Sequence, residues 1–147
     1  MAFRYRLETL LRLQRSVEHQ EENRLLVCVA RVTKLQTEWH AWQEMRWQQK
    51  RAALADHVDG APGILLRITA ELEDAGRRRE KALEDELKAA ETASQKQLRI
   101  YRQARQKREI LESLKERQES EYTIEQLRQM QKNLDEAHLL RTFSRNS

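Results

Sequence analysis

The sequence predicts an all-α protein: two long helices forming an antiparallel coiled-coil hairpin, the second helix longer and ending in a C-terminal overhang. Three observations carry this. Of 147 residues, 35% are charged and 5% aromatic, a balance typical of long helices rather than of a compact core. Glycine occurs three times and proline once, so helix breakers are concentrated rather than scattered. Apolar residues recur at spacings of three and four, which disorder would not produce. The reading is a single elongated domain, 1–147.

The first helix is placed at 3–58. Phe3, Leu7, Leu10, Leu11 and Val17 share one face. Further on, Leu25, Cys28, Val32, Leu35, Trp39 and Trp42 follow spacings of 3, 4, 3, 4 and 3. That is the a/d pattern that keeps one apolar seam against a partner helix. Between the two blocks the extrapolated seam passes through Gln14, Glu18 and Glu21, so it is polar there.

The break lies in "DHVDGAPGI", residues 56–64, where Gly60, Pro62 and Gly63 disfavour continuing a helix. A turn at 59–63 leads to a second helix at 64–141, followed by a flexible tail at 142–147. Gly76 is a lone glycine inside a helical pattern, tolerable at about 1 kcal/mol relative to alanine. The second helix begins with a stripe of Ile68, Leu72 and Ala75, then Leu83, Leu87 and Ala90. It becomes patchy through Leu98, Tyr101 and Ala104, and recovers at Ile110, Leu111 and Leu114 and at Ile124, Leu127, Met130 and Leu134. This register drifts, which predicts stutters rather than a strict zipper.

So short a break makes the helices antiparallel neighbours. Folding about residue 61 brings residue i near residue 122 minus i: Trp39 beside Leu83, Leu25 beside Gln97, Phe3 near Glu119. The second helix then projects past the first from about residue 120. The block "KQLRIYRQARQKR", 96–108, falls opposite 14–26 with Glu18, Glu21 and Glu22, and the paired charges set register more than they add stability.

The formal net charge of +4, from 28 basic and 24 acidic residues, is a small excess on a heavily charged surface. Cys28 is the only cysteine, so no internal disulfide framework exists and a reducing compartment is expected. No apolar run reaches the ~18 residues needed to span a bilayer, and the opening stretch lacks the apolar core and cleavage site of a secretory signal.

Catalysis is not expected. The sequence contains no glycine-rich phosphate loop, no nucleophile elbow and no Cys/His pair at metal-ligand spacing, and a two-helix hairpin offers little concavity. No catalytic residue, cofactor, metal or small-molecule substrate is assigned. His19, His40, His57 and His138 are scattered, and Cys28 reads as a seam thiol. The basic block 96–108, with Tyr101, has the charge to attract phosphate, but it reads first as a register device, so nucleic acid is not the expected partner. Trp39 and Trp42 fall on the seam, whereas Trp47 and Met45 fall outside it. Trp47 is either a surface ring half covered by Arg and Gln stems or an anchor for a partner.

"MAFRYRLETLLRLQR", residues 1–15, resembles the start of the FliJ family of flagellar type III export proteins. "KREILESLKERQESEYTIEQLRQMQKNLDEAHLLR", residues 107–141, is similar to that family's C-terminal pattern in Leu111, Leu114, the "KERQ" at 115–118, Tyr122 and the "QKNLDE" at 131–136. The resemblance covers the whole chain; its ends carry the specific motifs, and its middle is generic coiled coil. It implies a cytoplasmic, non-enzymatic component of the export apparatus, peripheral at the inner face of the inner membrane at the flagellar base. It further implies a coiled-coil stalk that binds the export ATPase hexamer, couples it to the cytoplasmic domain of the membrane export gate, and interacts with export chaperones.

Carried over residue by residue, the resemblance assigns ATPase contact to Phe3, Arg4, Leu7, Leu11, Lys115, Arg117, Gln118, Tyr122, Gln131, Lys132, Asp135 and Glu136. Gate contact is placed nearer the turn, at Trp39, Trp42, Met45, Trp47, Ile68, Leu72 and Ala75. The rival reading is a structural or nucleic-acid-associated coiled coil acting through dimerisation or its basic block. The opening "FRYRLETLLRLQR" could also pass for an Arg-rich transit peptide. Glu8, and the continuation of its apolar face into the heptads, mark it as retained structure.

Overall fold

In the computed structural model, which describes residues 2–56 and 63–146, the chain forms two α-helices, α1 (Glu8–Asp56) and α2 (Gly63–Asn146). No strand occurs among the described residues. Packing divides the chain into two units, Met1–His19 with Arg102–Ser147, and Gln20–Tyr101.

In the unit Gln20–Tyr101, α1 turns inward Leu25, Cys28, Val32, Leu35, Trp39, Trp42 and Arg46, the seam expected from its heptads with Arg46 added. From α2 come Gly76, Glu80, Leu83, Leu87, Ala90, Ser94, Gln97 and Tyr101. Spacings of three and four are kept throughout, so the expected drift of α2 does not occur. The drift came from following apolar side chains, whereas this seam sets Leu83, Leu87 and Ala90 between Gly76 and Glu80 on one side and Ser94 and Gln97 on the other. Leu35, Leu83 and Ala90 are buried. The helices run antiparallel, because Glu21 meets Gln97 while Gln43 and Arg46 meet Glu80. The Gln97 amide donates to the Glu21 carbonyl at 3.2 Å and to the Glu21 carboxylate. Gln43 and Arg46 each donate to one carboxylate oxygen of Glu80.

The unit Met1–His19 with Arg102–Ser147 is antiparallel too. Glu8 pairs with Lys115 at 2.9 Å, Arg15 with Glu112 at 3.1 Å, and Glu18 with Arg108. Its core is Tyr5, Leu11 and Ala104, bordered by the half-buried Gln14, Val17, Glu18, Arg108 and Leu111. Apolar burial here is small, so ion pairs at seam positions carry the register. Glu8–Lys115 and, in the other unit, Gln43–Glu80 each fall one residue from the expected fold-back register. The Phe3 ring lies against Tyr122, and the Gln97 amide reaches Glu21, contacts within about one turn of the expected partners Glu119 and Leu25.

The helix bounds differ from those expected. α1 begins at Glu8, not residue 3: the Glu8 N–H donates to the Tyr5 carbonyl at 3.2 Å and the Leu11 N–H to Leu7 at 2.8 Å. The non-helical start lets the Tyr5 ring enter the core. The expected flexible tail is helical through Asn146, since no glycine or proline follows Gly76 to stop α2. Residues 57–62, which hold most of the expected turn at 59–63, lie outside the described residues. The charge pairing of 96–108 holds only in part. Arg108 reaches Glu18 across the pair, Arg105 bonds Glu109 on its own helix at 2.9 Å, and Lys96, Arg99, Arg102 and Lys107 are exposed. Seam positions 97, 101, 104 and 108 admit only one of the six basic side chains.

Candidate functional site

The two sequence-assigned groups lie in different units. In the unit Met1–His19 with Arg102–Ser147, the opening phrase packs on the C-terminal phrase. The Phe3 and Tyr122 rings lie 5.5 Å apart, tilted by 46°, a geometry that favours aromatic pairs. The Tyr5 hydroxyl donates to the Leu111 carbonyl at 3.0 Å. Lys115 sits on Glu8, and its hydrogen bond holds the Glu8 carboxyl below the ordinary carboxylate value, with Arg12 and Arg15 adding to the effect. Burial works against ionisation of Glu112, but Arg15 and Arg108 outweigh it and lower its pKa. The bond to Glu18 raises the pKa of Arg108.

Of the residues assigned to ATPase contact, Phe3, Lys115 and Tyr122 are half-buried in this packing, and Arg4, Leu7, Arg117 and Gln118 are exposed beside it. Leu11 is fully buried, so it supports the surface from beneath and presents nothing to a partner. Gln131, Lys132, Asp135 and Glu136 lie on the stretch of α2, 123–146, in which every residue is exposed; the Gln131 amide donates to Asp135 at 3.3 Å. Tyr5, absent from the assigned residues, ties the opening phrase to α2. Its signal was a second aromatic two residues from Phe3 inside "FRYR".

In the unit Gln20–Tyr101, an open apolar cleft of about 710 Å³ lies between the helices beyond the Arg46–Glu80 pair. Continuing the seam towards the helix ends meets Gln49 and Ala53 on α1 and Glu73 and Thr69 on α2, side chains too short or too polar to close it. Its lining includes the large apolar side chains of Trp42, Met45, Leu54 and Leu72, the small Ala75 and Gly76, and the polar Arg46, Lys50 and Glu73. Trp42, Met45, Leu72 and Ala75 were assigned to gate contact from sequence, and they come together here. Trp39, Trp47 and Ile68 are outside the lining. Trp39 turns an edge to His40 at 5.3 Å. Trp47 is 55% exposed under the Arg51 guanidinium, 5.3 Å from the ring centre, a cation–π contact. The Trp39 and Trp42 indole N–H groups are buried without acceptors.

Among the described residues no group of three His, Cys, Asp or Glu side chains could hold a metal ion, and no helix is long and apolar enough to cross a membrane. Set against models of known protein families, characterised proteins and solved structures, the chain matches none of them.

Proposed function

We propose that this chain is a non-enzymatic, cytoplasmic coiled-coil stalk component of the flagellar type III export apparatus, at the inner face of the inner membrane. In this role it binds the export ATPase hexamer, couples it to the cytoplasmic domain of the membrane export gate, and interacts with export chaperones. One observation carries the reading: the two phrases that resemble the FliJ family, at opposite ends of the sequence, meet in one unit through Phe3 and Tyr122 and Glu8 and Lys115. Residues more than 100 positions apart in the two phrases would be expected to meet if together they make one binding end.

The exposed run of α2 beyond Tyr122 supports an ATPase contact, since it offers Gln131, Lys132, Asp135 and Glu136 to a partner. The cleft at Trp42, Met45, Leu72 and Ala75 supports a gate contact, because aromatic and Met side chains are enriched at interfaces and Trp among their hot spots. Paired helices suit coupling, as a load at one part of such a pair is transmitted along its packed seam.

Cosedimentation with the purified export ATPase tests the reading. The full chain is expected to pellet with the hexamer, and truncation after residue 120 to abolish pelleting. Phe3→Ala with Tyr122→Ala should weaken it. Equal binding by full and truncated chains would defeat the assignment. Loss of motility in a deletion strain, restored by the gene, tests the cellular role.

A further inference from the structure

Where α1 stops and α2 starts, the unit Gln20–Tyr101 exposes a dense group of large apolar side chains. Leu54, Ile64, Leu65, Leu66 and Ile68 are each at least 48% exposed. They do not form one stripe. At 100° per residue, four successive residues look out on all sides of a helix. The last four residues of α1 before Asp56 are Ala52, Ala53, Leu54 and Ala55, and α2 opens with Gly63, Ile64, Leu65 and Leu66. Both helix ends are therefore apolar all round, with Arg67 the first charged residue of α2. A partner helix or groove covers one face of a helix and leaves the others wet. An apolar medium met end-on covers every face at once.

Charge selects the kind of surface. From Arg46 to Ala70 the sequence holds four cations, Arg46, Lys50, Arg51 and Arg67, and two acids, Asp56 and Asp59. Arg46 is held by Glu80. Lys50, Arg51 and Arg67 pair with no carboxylate among the described residues. Lys50 and Arg51 stand about 6 Å back from Leu54, one turn along α1. Basic side chains there reach headgroups while their carbon stems stay against the apolar layer. Trp47 follows one turn further back beneath the Arg51 guanidinium, and tryptophan is enriched where a bilayer meets water.

We infer that this end of the unit docks end-on and shallowly on an anionic lipid surface. Leu54, Ile64, Leu65 and Leu66 enter the acyl boundary, and Lys50, Arg51 and Arg67 meet the headgroups. The stretch from Gly63 to Ala70, free of acids, is about 10 Å long, the depth to which interfacial helices sink. Deeper entry is opposed. The first N–H groups of α2 and the last carbonyls of α1 need water or headgroup partners, and no helix among the described residues is apolar enough to cross a bilayer. Such docking goes beyond the export role proposed above and does not rest on it. Leu54, Ile64, Leu65 and Leu66 are also outside the residues assigned to gate contact.

Flotation of the full chain with vesicles tests it, using phosphatidylcholine mixed with phosphatidylglycerol and phosphatidylcholine alone. The chain should float with the mixed vesicles, and less in high salt or with phosphatidylcholine alone. Ile64→Ser with Leu65→Ser, both exposed and outside the core, should weaken binding at least about tenfold. Lys50→Gln and Arg67→Gln should each weaken it about fivefold. Orientation is read in a Cys28→Ser background. An environment-sensitive dye on Ile64→Cys should shift to the blue on binding, and one on the exposed Glu84→Cys, about 30 Å along α2, should not. A chain that leaves both kinds of vesicle bare overturns the inference and gives the apolar ends to a protein partner. So does equal flotation with the two kinds, or binding indifferent to the serine substitutions. Equal shifts at the two dyes overturn it as well, in favour of adsorption along the whole helix.

Discussion

The Tyr5 hydroxyl donates to the main-chain carbonyl of Leu111 at 3.0 Å, joining the non-helical start of the chain to the middle of α2. A tyrosine ring buried to 7% exposure with its hydroxyl satisfied contributes both apolar burial and direction. Tyr5→Phe removes only the bond, since the Leu111 carbonyl keeps its place in the helix ladder, and should cost about 1 kcal/mol. Tyr5→Ala also opens a cavity beside Leu11 and should cost about 3 kcal/mol. Urea unfolding of the full chain measures both; equal losses would mean that the hydroxyl, not the ring, holds the segment.

Arg108 serves three carboxylates at once, Glu18 across the pair, Glu112 one turn along its own helix at 2.6 Å, and the neighbouring Glu109 at 3.8 Å. Arg108→Ala leaves those acids close together without a cation and should cost about 1 kcal/mol, limited because solvent still reaches the site. Replacing Glu18 and Arg108 together by leucine should restore or exceed the original stability, because a polar seam layer specifies register at the expense of burial. Chemical denaturation of the single and double variants checks this. A double variant as weak as Arg108→Ala would show that the layer stabilises as well as specifies.

Acid should loosen the unit Met1–His19 with Arg102–Ser147. The carboxyls of Glu8 and Glu112 are both held below their ordinary value of 4.5. Groups with depressed folded-state pKa values contribute stability that is full above the unfolded value and is lost as pH falls through the folded one. The expected loss therefore lies below pH 4.5, with the protection of amides 8–19 and 104–115, relative to their intrinsic exchange rates, falling there. Glu8→Gln with Glu112→Gln should flatten that dependence. Hydrogen exchange from pH 6 downward decides it, and protection in this unit that is unchanged to pH 3 would refute it.

Much of α1 was legible because its seam is apolar where it matters, from Leu25 to Trp42, and strict enough that extrapolation found the polar positions Gln14, Glu18 and Glu21. The second helix was harder. Its inward positions hold Gly76, Glu80, Ser94, Gln97, Arg108 and Lys115, while Leu72, Ile110 and Leu114 are exposed. Hydrophobicity then points to the wrong face, and only pairing with α1 reveals the heptads. The cleft had no sequence motif, since it arises from what Gln49, Ala53, Thr69 and Glu73 fail to fill. Trp42, Met45, Leu72 and Ala75, named from the resemblance as residues near the turn, line this cleft. Leu11 came into the contact group through the family resemblance, while its place on the apolar face with Phe3, Leu7 and Leu10 already suited the fully buried position it takes.

Gly76 marks where the seam ends and the cleft begins. A Cβ built on it would lie 3.4 Å from the Arg46 Nε and 3.5 Å from its Cζ, ordinary contact with the end of a long side chain. Gly76→Ala should therefore raise stability by up to about 1 kcal/mol, the helix-propensity difference, with the Arg46–Glu80 pair intact. A larger side chain needs the space the guanidinium occupies, so Gly76→Leu should displace Arg46 from Glu80 and lower stability. Unfolding midpoints of the two variants should move in opposite directions. If alanine also lowers the midpoint, the guanidinium is fixed tightly enough that glycine at this position is a packing requirement of the pair.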